Sequence, residues 1–213
     1  MTSPRPLRNK FSSAAVALAL LLSGCGATTA PRPVEEKAAA SGKSTIAPAA
    51  TTTVEFDPQM ISDYTMGISA YKAGNHKGAE SIFLDIAKNH PELPGPHANL
   101  GMIYNKKGEF DKAEVALNQA LALKPDLPEV YNQLGILYRN KGQFDKALKN
   151  YQDGLKLAPD NPSLLINLGI LYDLYLNRPD EALKQWQHYK TVVNDDKQVD
   201  IWIADINQRA ATK

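Results

Sequence analysis

The apolar residues of this chain of 213 residues fall into three zones. A mostly apolar run occupies residues 11–22, and residues 26–56 then contain almost no large apolar side chains. From residue 57 onward, apolar residues recur at the three- and four-residue spacing that indicates amphipathic helices. Asp57 followed by Pro58 suits the start of the first helix, with Asp as N-cap and Pro in the first turn. The pattern therefore predicts a helical region that begins after a long polar stretch.

The helical zone repeats itself every 34 residues. Glycine recurs at this interval as Gly67, Gly101, Gly135 and Gly169, and four further ladders of Gly, Ala and Pro share the period. Three of the four glycines lie in a Leu-Gly-x-x-Tyr sequence. This motif, followed by Ala and then Pro within 34 residues, resembles the tetratricopeptide repeat (TPR).

The TPR resemblance covers about residues 60–196. It implies an all-α fold, namely a TPR solenoid of about four helix-turn-helix repeats plus a C-terminal capping helix. We expect the array at 57–196, with repeats at about 60–93, 94–127, 128–161 and 162–196, followed by the capping helix and tail at 197–213. The residues expected to build the repeats are Gly67, Leu100, Gly101, Tyr104, Ala113, Leu134, Gly135, Tyr138, Ala147, Leu168, Gly169 and Tyr172.

Repeat four is one residue longer than repeats two and three. Gly169 and Ala182 are 13 positions apart, whereas Gly101 and Ala113 are 12 positions apart. The earlier repeats have a glycine in the turn between their two helices, which suits a left-handed backbone. We expect the extra residue of repeat four in this turn, around residues 176–179.

The first helix of each repeat is expected to line the concave wall of the solenoid. The Leu, Gly and Tyr of the repeated motif occupy one face of this helix. The face that lines the wall is a different one, and it carries the apolar residue that directly follows each repeated glycine. Some TPR proteins clamp a terminal carboxylate with an Asn at that place, where this chain has Ile or Met, so an apolar segment of another protein is favoured. The alternative is that these side chains pack within the array. The candidate partner-binding groove consists of Tyr64, Ile68, Tyr71, Met102, Asn105, Asn132, Ile136, Arg139, Ile166, Ile170 and Asp173.

The composition gives no sign of catalysis or of nucleic-acid binding. The formal net charge is +1, and about −2 without residues 1–24, whereas a nucleic-acid surface is usually basic. The four histidines form no spaced metal site, and no catalytic triad is legible. Residues 41–45 end like a phosphate-binding loop, but Lys37 replaces the earlier glycine of that motif. We therefore expect no enzyme activity, cofactor, metal or small-molecule substrate.

The N-terminus has the pattern of a lipoprotein signal peptide over residues 1–24. Arg5, Arg8 and Lys10 precede the apolar run, which at 12 residues is too short to span a bilayer. The sequence Leu-Ser-Gly-Cys that ends at Cys25 resembles the bacterial lipobox. The resemblance implies cleavage before Cys25 and attachment of several acyl chains to it, which together anchor a protein stably. A plain secretory signal with an incidental cysteine is the alternative.

Cys25 is the only cysteine of the chain, so no internal disulfide can form. Gly26 follows it, and the absence of an Asp there favours sorting to the outer membrane by the enterobacterial rule. Residues 25–56 are interpreted as the lipidated Cys and a disordered tether rich in Ala, Pro and Thr.

Together these features indicate a non-catalytic, membrane-anchored TPR adaptor that binds other envelope proteins and faces the periplasm. Its organisation resembles the outer-membrane TPR lipoproteins that assist type IV or Tad pilus assembly and secretin maturation. Two alternatives remain open, namely an adaptor for peptidoglycan hydrolases or synthases and an accessory to a TonB-like envelope complex.

Overall fold

The computed structural model describes residues 57–212, which form nine α-helices and contain no strand. This confirms the all-α fold class. The predicted signal peptide at 1–24, Cys25 and the tether at 25–56 lie outside the described residues. The helices are α1 Pro58–Lys72, α2 His76–Asn89, α3 Pro94–Lys107, α4 Phe110–Leu123, α5 Pro128–Asn140, α6 Phe144–Leu157, α7 Pro162–Ile170 with a π-helix Leu171–Tyr175 that continues it, α8 Pro179–Val192 and α9 Lys197–Ala211.

The helices stack as four pairs followed by one single helix. The two helices of each pair, such as α3 and α4, pack along their length, and the second helix of a pair contacts the first helix of the next. Helix α9 packs on α8, where the rings of Trp186 and Trp202 lie 5.1 Å apart. Among the described helices, none combines the length and apolar character that crossing a bilayer requires.

A polar cap and prolines fix where the first helix of each pair begins. The carboxylate of Asp57 accepts a hydrogen bond of 2.9 Å from the backbone N–H of Gln59, which confirms Asp57 as the N-cap. Pro94, Pro128 and Pro162 begin α3, α5 and α7. Proline is favourable there because the first N–H groups of a helix have no intrahelical acceptor.

The turn inside each pair needs one residue in the left-handed conformation. Gly74, Gly108 and Gly142 occupy this place with φ of 79°, 79° and 71°, as the glycine ladder predicts. In the fourth pair, Asn177 takes the same place with φ of 52°. Asn tolerates this conformation better than most residues, so the turn keeps its form without glycine.

The extra residue of repeat four lies inside the helix, so the expected position in the turn at 176–179 is wrong. The backbone N–H of Leu176 donates to the carbonyl of Leu171 at 3.1 Å, across five residues, whereas the equivalent bond of repeat three spans four. The helix absorbs the residue by widening into the π-helix. Asn177 preserves the turn, so the added residue is accommodated in the helix that precedes the turn.

Each repeated glycine lies against a large buried side chain on the second helix of its pair. A Cβ added at Gly101, for example, would lie 2.5 Å from Cγ of Leu117, well inside van der Waals contact. Glycine therefore lets the two helices approach closely. The four contacts are Gly67–Phe83, Gly101–Leu117, Gly135–Tyr151 and Gly169–Trp186. Buried in the same core are the motif residues Leu100, Leu134, Leu168, Tyr104, Tyr138, Tyr172, Ala113 and Ala147.

Candidate protein-binding groove

The first helices of the four pairs, α1, α3, α5 and α7, lie side by side and form a continuous wall. Helix α3 contacts α5, and α5 contacts α7. Side-chain hydrogen bonds join each of these helices to the next. In a solenoid of helix pairs, this wall is the concave surface. All predicted groove residues lie on these four helices or on the π-helix that continues α7.

An apolar row runs along the wall. It consists of the residues that follow the repeated glycines, Ile68, Met102, Ile136 and Ile170, and each of them is partly exposed. Ile166 lies one turn before Ile170 and is also partly exposed. The row therefore retains apolar surface on a wall whose other side is the closed core, as a binding surface for an apolar segment requires.

Amide side chains tie the neighbouring helices of the wall together. Nδ2 of Asn99 donates to the hydroxyl of Tyr64 at 2.6 Å and to the carbonyl of Gly95 at 2.9 Å. Two repeats later, Nδ2 of Asn167 donates to Oδ1 of Asn132 at 3.0 Å. The bonds between helices join residues 35 positions apart, so they fix the stagger between successive repeats.

Asn105 forms a third link of this kind. Its Oδ1 accepts a hydrogen bond of 3.1 Å from Nδ2 of Asn140. Asn105 and Asn132 are both buried and bonded to the neighbouring helix. The structure thus places these two predicted groove residues within the wall, where they set its spacing.

Two tyrosines line the wall at the first repeat. The ring of Tyr64 meets Phe83 edge-on, with 5.3 Å between ring centres, and the ring of Tyr71 lies 5.2 Å from that of His76. Burial raises the pKa of both phenols, and for Tyr64 the hydrogen bond from Asn99 opposes part of this effect. Both side chains therefore stay neutral and offer an apolar body with a polar edge.

The two charged residues of the predicted groove have different environments. Nη1 of Arg139 lies 3.4 Å from Oδ1 of Asn167, and its guanidinium carbon is 5.9 Å from the ring centre of Tyr175. Asp173 is instead bound by Nη2 of Arg209 on α9 at 2.8 Å, and its side chain is only 8% exposed. The capping helix thus covers Asp173, while Arg139 remains in the open part of the wall.

Sequence reasoning missed two aromatic residues beside Arg139. Tyr175 belongs to the π-helix, is 45% exposed, and packs at a tilt against Phe144 with 5.1 Å between ring centres. Tyr151 is fully buried behind Gly135, and its hydroxyl has no hydrogen-bond partner among the described residues. The ladder contained a signal for Tyr151, because the same place in the other repeats holds Phe, Leu or Trp.

The described residues give no sign of a metal centre. Within residues 57–212, no three His, Cys, Asp or Glu side chains come together in a way that could hold a metal ion. His97 lies on the first helix of repeat two, and burial lowers the pKa of its imidazole. A neutral imidazole fits a packing role for His97 in the wall.

Family comparisons agree with this architecture. A family model described as TPR repeat matches residues 101–142, and one described as tetratricopeptide repeat matches residues 128–161. The matches identify residues 101–161 as TPR repeats, and the paired helices of residues 57–212 are consistent with a solenoid built of such repeats. A search of curated proteins found no match to the chain.

Solved TPR structures share this fold. The structure of PilF from Pseudomonas aeruginosa has a TM-score of 0.66 at 18% sequence identity, covering 72% of this chain and 69% of PilF. A TPR protein of Thermus thermophilus has a TM-score of 0.61 at 20% identity, covering 71% of this chain and 82% of its own. An O-GlcNAc transferase of Thermobaculum terrenum has a TM-score of 0.57 at 18% identity, but the match covers 62% of this chain and only 26% of the enzyme.

These likenesses concern the fold of the chain. Identities of this size show a common fold, so the predicted resemblance to the TPR proteins of pilus assembly is confirmed as a resemblance of fold. TPR solenoids generally bind other proteins along their concave surface. The repeats matched at residues 101–161 accordingly place the chain among proteins whose repeats generally mediate protein–protein interactions.

Proposed function

We propose that this chain is an adaptor of the bacterial envelope that holds an apolar segment of a partner protein in the groove. The observation that carries the proposal is the row of Ile68, Met102, Ile136 and Ile170, which stays partly exposed along a wall that is rigidly linked by buried amides. Extended or helical peptides bind such grooves by placing their apolar side chains against the row.

Site-specific photo-crosslinking in living cells tests this proposal. A p-benzoylphenylalanine placed at Ile136 should give a discrete adduct with a partner, and the additional substitution Met102→Glu should abolish it. The matched control is the same probe at Val115, which is 71% exposed on α4 and outside the groove. Equal adducts at both positions, or none at Ile136, would contradict the proposal.

The proposal includes a lipid anchor at Cys25. Its support is the Leu-Ser-Gly-Cys sequence after a short apolar run, together with the absence of any other cysteine. Several acyl chains would hold the chain at a membrane, and the polar stretch to residue 56 would let the solenoid stand away from it. Gly26 supports the outer membrane as the location, with the solenoid in the periplasm.

Fractionation tests the anchor without involving the groove. Cys25→Ala should move the protein from the membrane to the soluble fraction, and growth with radiolabelled palmitate should label the wild type alone. A variant that still sediments with the outer membrane would refute the anchor.

For the process that the adaptor serves, we propose pilus assembly or secretin maturation. Two observations support it, namely the resemblance of the chain's organisation to pilus-assembly lipoproteins and the fold shared with PilF. Deleting the gene should reduce surface pili or secretin multimers, and the wild type should restore them where Met102→Glu with Ile136→Glu does not. Normal pili with an altered peptidoglycan composition would favour an adaptor for peptidoglycan hydrolases or synthases. Loss of TonB-dependent uptake alone would favour an accessory to a TonB-like envelope complex.

A further inference from the structure

The π-helix changes the rim of the groove between repeats three and four. It ends in Leu174 and Tyr175, which are 67% and 45% exposed. The corresponding ends of the first helices in repeats two and three are polar, with Lys106-Lys107 and Asn140-Lys141. π-Helical turns are rare and often occur at functional sites, because the widened backbone redirects side chains. Here it adds an exposed apolar and aromatic surface to one edge of the groove.

Arg139 lies next to this surface without a carboxylate partner. Among residues 57–212, no Asp or Glu lies within ion-pair distance of its guanidinium, which is 3.4 Å from the amide oxygen of Asn167 and 5.9 Å from the ring centre of Tyr175. A contact of 3.4 Å to a neutral amide is a weak hydrogen bond. The neighbouring cations differ, since Lys141 is paired with Glu114 at 2.8 Å and Arg209 is paired with Asp173.

The dipole of a helix favours a cation at its C-terminal end, and this accounts for the exposed Lys72 and Lys106 at the equivalent edge of repeats one and two. Arg139 needs a further reason, because it is half-buried and held against an aromatic ring. Lys72 and Lys106 add positive charge at the ends of α1 and α3, and the carboxylate of Asp173 on the neighbouring π-helix is paired with Arg209.

The core behind Gly135 holds a phenol, that of Tyr151, close to Arg139. Its hydroxyl is buried without a partner among the described residues, although the equivalent side chains Phe83, Leu117 and Trp186 show that the core position does not require a hydroxyl. Buried polar groups without a partner are uncommon and costly. The charge of Arg139 lies close enough to oppose part of the rise that burial imposes on the pKa of Tyr151.

We propose that Arg139 and Tyr175 recognise an acidic side chain within an otherwise apolar segment of the partner protein. The inference rests on the proposed function, because it takes the groove as the binding surface. The guanidinium would bind the carboxylate through two parallel N–H donors, and the ring of Tyr175 would hold the guanidinium in place. Apolar side chains on either side of the acid would contact Ile136, Ile170 and Leu174. A side-chain carboxylate is favoured over a chain terminus because Ile or Met stands after each repeated glycine, where clamps for a terminal carboxylate place an Asn.

A phage-displayed library of random peptides, fused so that no peptide has a free C-terminus, tests this selectivity on the full chain in detergent. The wild type should enrich peptides in which Asp or Glu is flanked by apolar residues. Arg139→Gln should lose the acidic preference and keep the apolar one. The control Lys124→Gln removes a positive charge from an exposed residue just after α4 and should select the same peptides as the wild type.

A synthetic version of the enriched peptide gives the quantitative measure. It should bind the wild type about tenfold more tightly than Arg139→Gln, and its Asp→Asn or Glu→Gln counterpart should bind both proteins equally. Tyr175→Leu keeps the charge and should also weaken the acidic peptide. Circular dichroism melts of all variants identify any that fail to fold, and Tyr175→Leu then serves in place of Arg139→Gln.

Three outcomes would overturn the inference. Apolar peptides without an acidic preference, or an acidic preference that survives Arg139→Gln, would remove the role of Arg139 and leave the groove intact. Preference for peptides with a free C-terminus in a parallel synthetic panel would replace side-chain recognition by terminal recognition. Enrichment of no peptide at all would overturn both this inference and the proposed function.

Discussion

Each repeat puts two adjacent residues in opposite environments. Gly135 faces inward, where the ring of Tyr151 fills the space that a side chain would need. Ile136, one position later, lies half-buried on the wall of the groove. The same contrast recurs in all four repeats, because successive positions on a helix are about 100° apart and cannot face the same neighbour. The glycine is therefore determined by the fold, while its successor packs partly against the core and keeps the rest of its surface exposed on the wall.

The inward contact also shows how the fold tolerates change. The glycine is constant, but its neighbour on the second helix is Phe83, Leu117, Tyr151 or Trp186. The absence of a Cβ is thus the fixed requirement, and side chains of different sizes fill the space that it leaves. On the wall, the residue after the glycine keeps its apolar character without this packing constraint.

Gly135→Leu should have the largest effect, because the new side chain would overlap the ring of Tyr151 and the two helices could not keep their distance. We expect a loss of about 3 kcal/mol in the free energy of unfolding, measured by urea titration of the full chain. Combining it with Tyr151→Ala should cost less than the sum of the two single changes. Ile136→Leu is the matched control and should cost less than about 1.5 kcal/mol. A loss for Gly135→Leu no larger than that of the control would refute the close crossing.

Tyr151→Phe should act in the opposite direction. It removes a buried hydroxyl that has no partner among the described residues and keeps the ring that packs on Gly135. We expect an increase of about 1 kcal/mol in the free energy of unfolding, measured in the same titration. Tyr138→Phe is the control, because its hydroxyl donates to Glu114 at 2.9 Å, and this change should lower stability. A loss of stability for Tyr151→Phe would mean that its hydroxyl is bonded, for example to an ordered water.

Met102→Glu together with Ile136→Glu should separate function from fold. Both side chains are partly exposed, so a carboxylate at either position can reach water, and we expect a loss of only about 1 kcal/mol. Far-UV circular dichroism should show unchanged helicity while capture of the partner is lost. If the double variant unfolds, the two residues belong to the core and the groove has no free apolar row.

The fold could be predicted from the repeat period, because Gly, Ala and Pro that recur at 34-residue intervals each have a single structural role. The glycine at each helix crossing and the left-handed glycine of each turn are of this kind. The position of the π-helix could not be predicted from the sequence. The spacing of the repeat shows that one residue is added, but it does not show which backbone hydrogen bonds change to accommodate it. The extra residue of repeat four was expected in the turn. Asn177 takes the left-handed conformation there, so the turn keeps its form without a glycine.

The groove was harder to predict from the sequence than the fold. Its apolar row follows from the residue after each glycine, but contacts between repeats depend on a stagger that the sequence does not display. Asn105 and Asn132 were therefore expected on the open surface, whereas they bond to the next helix. Asp173 was expected in the groove as well, and its pairing with Arg209 depends on how the capping helix lies.

The smallest effect concerns the outer edge of the array, where Lys141 of repeat three binds Glu114 of repeat two at 2.8 Å. The hydrogen bond from Lys141 is the largest influence on Glu114 and lowers its pKa in the folded protein. This ion pair therefore adds stability that is complete above the ordinary pKa of 4.5 and is lost as the pH falls through the lower folded value. Glu114→Gln should lower the urea midpoint slightly at pH 7, and the difference from the wild type should shrink as the pH falls through the lowered pKa of Glu114. Glu129→Gln, which removes a carboxylate on the groove helix α5, should change the midpoint little at either pH. A difference for Glu114→Gln that persists in acid would mean that its side chain contributes through packing and not through charge.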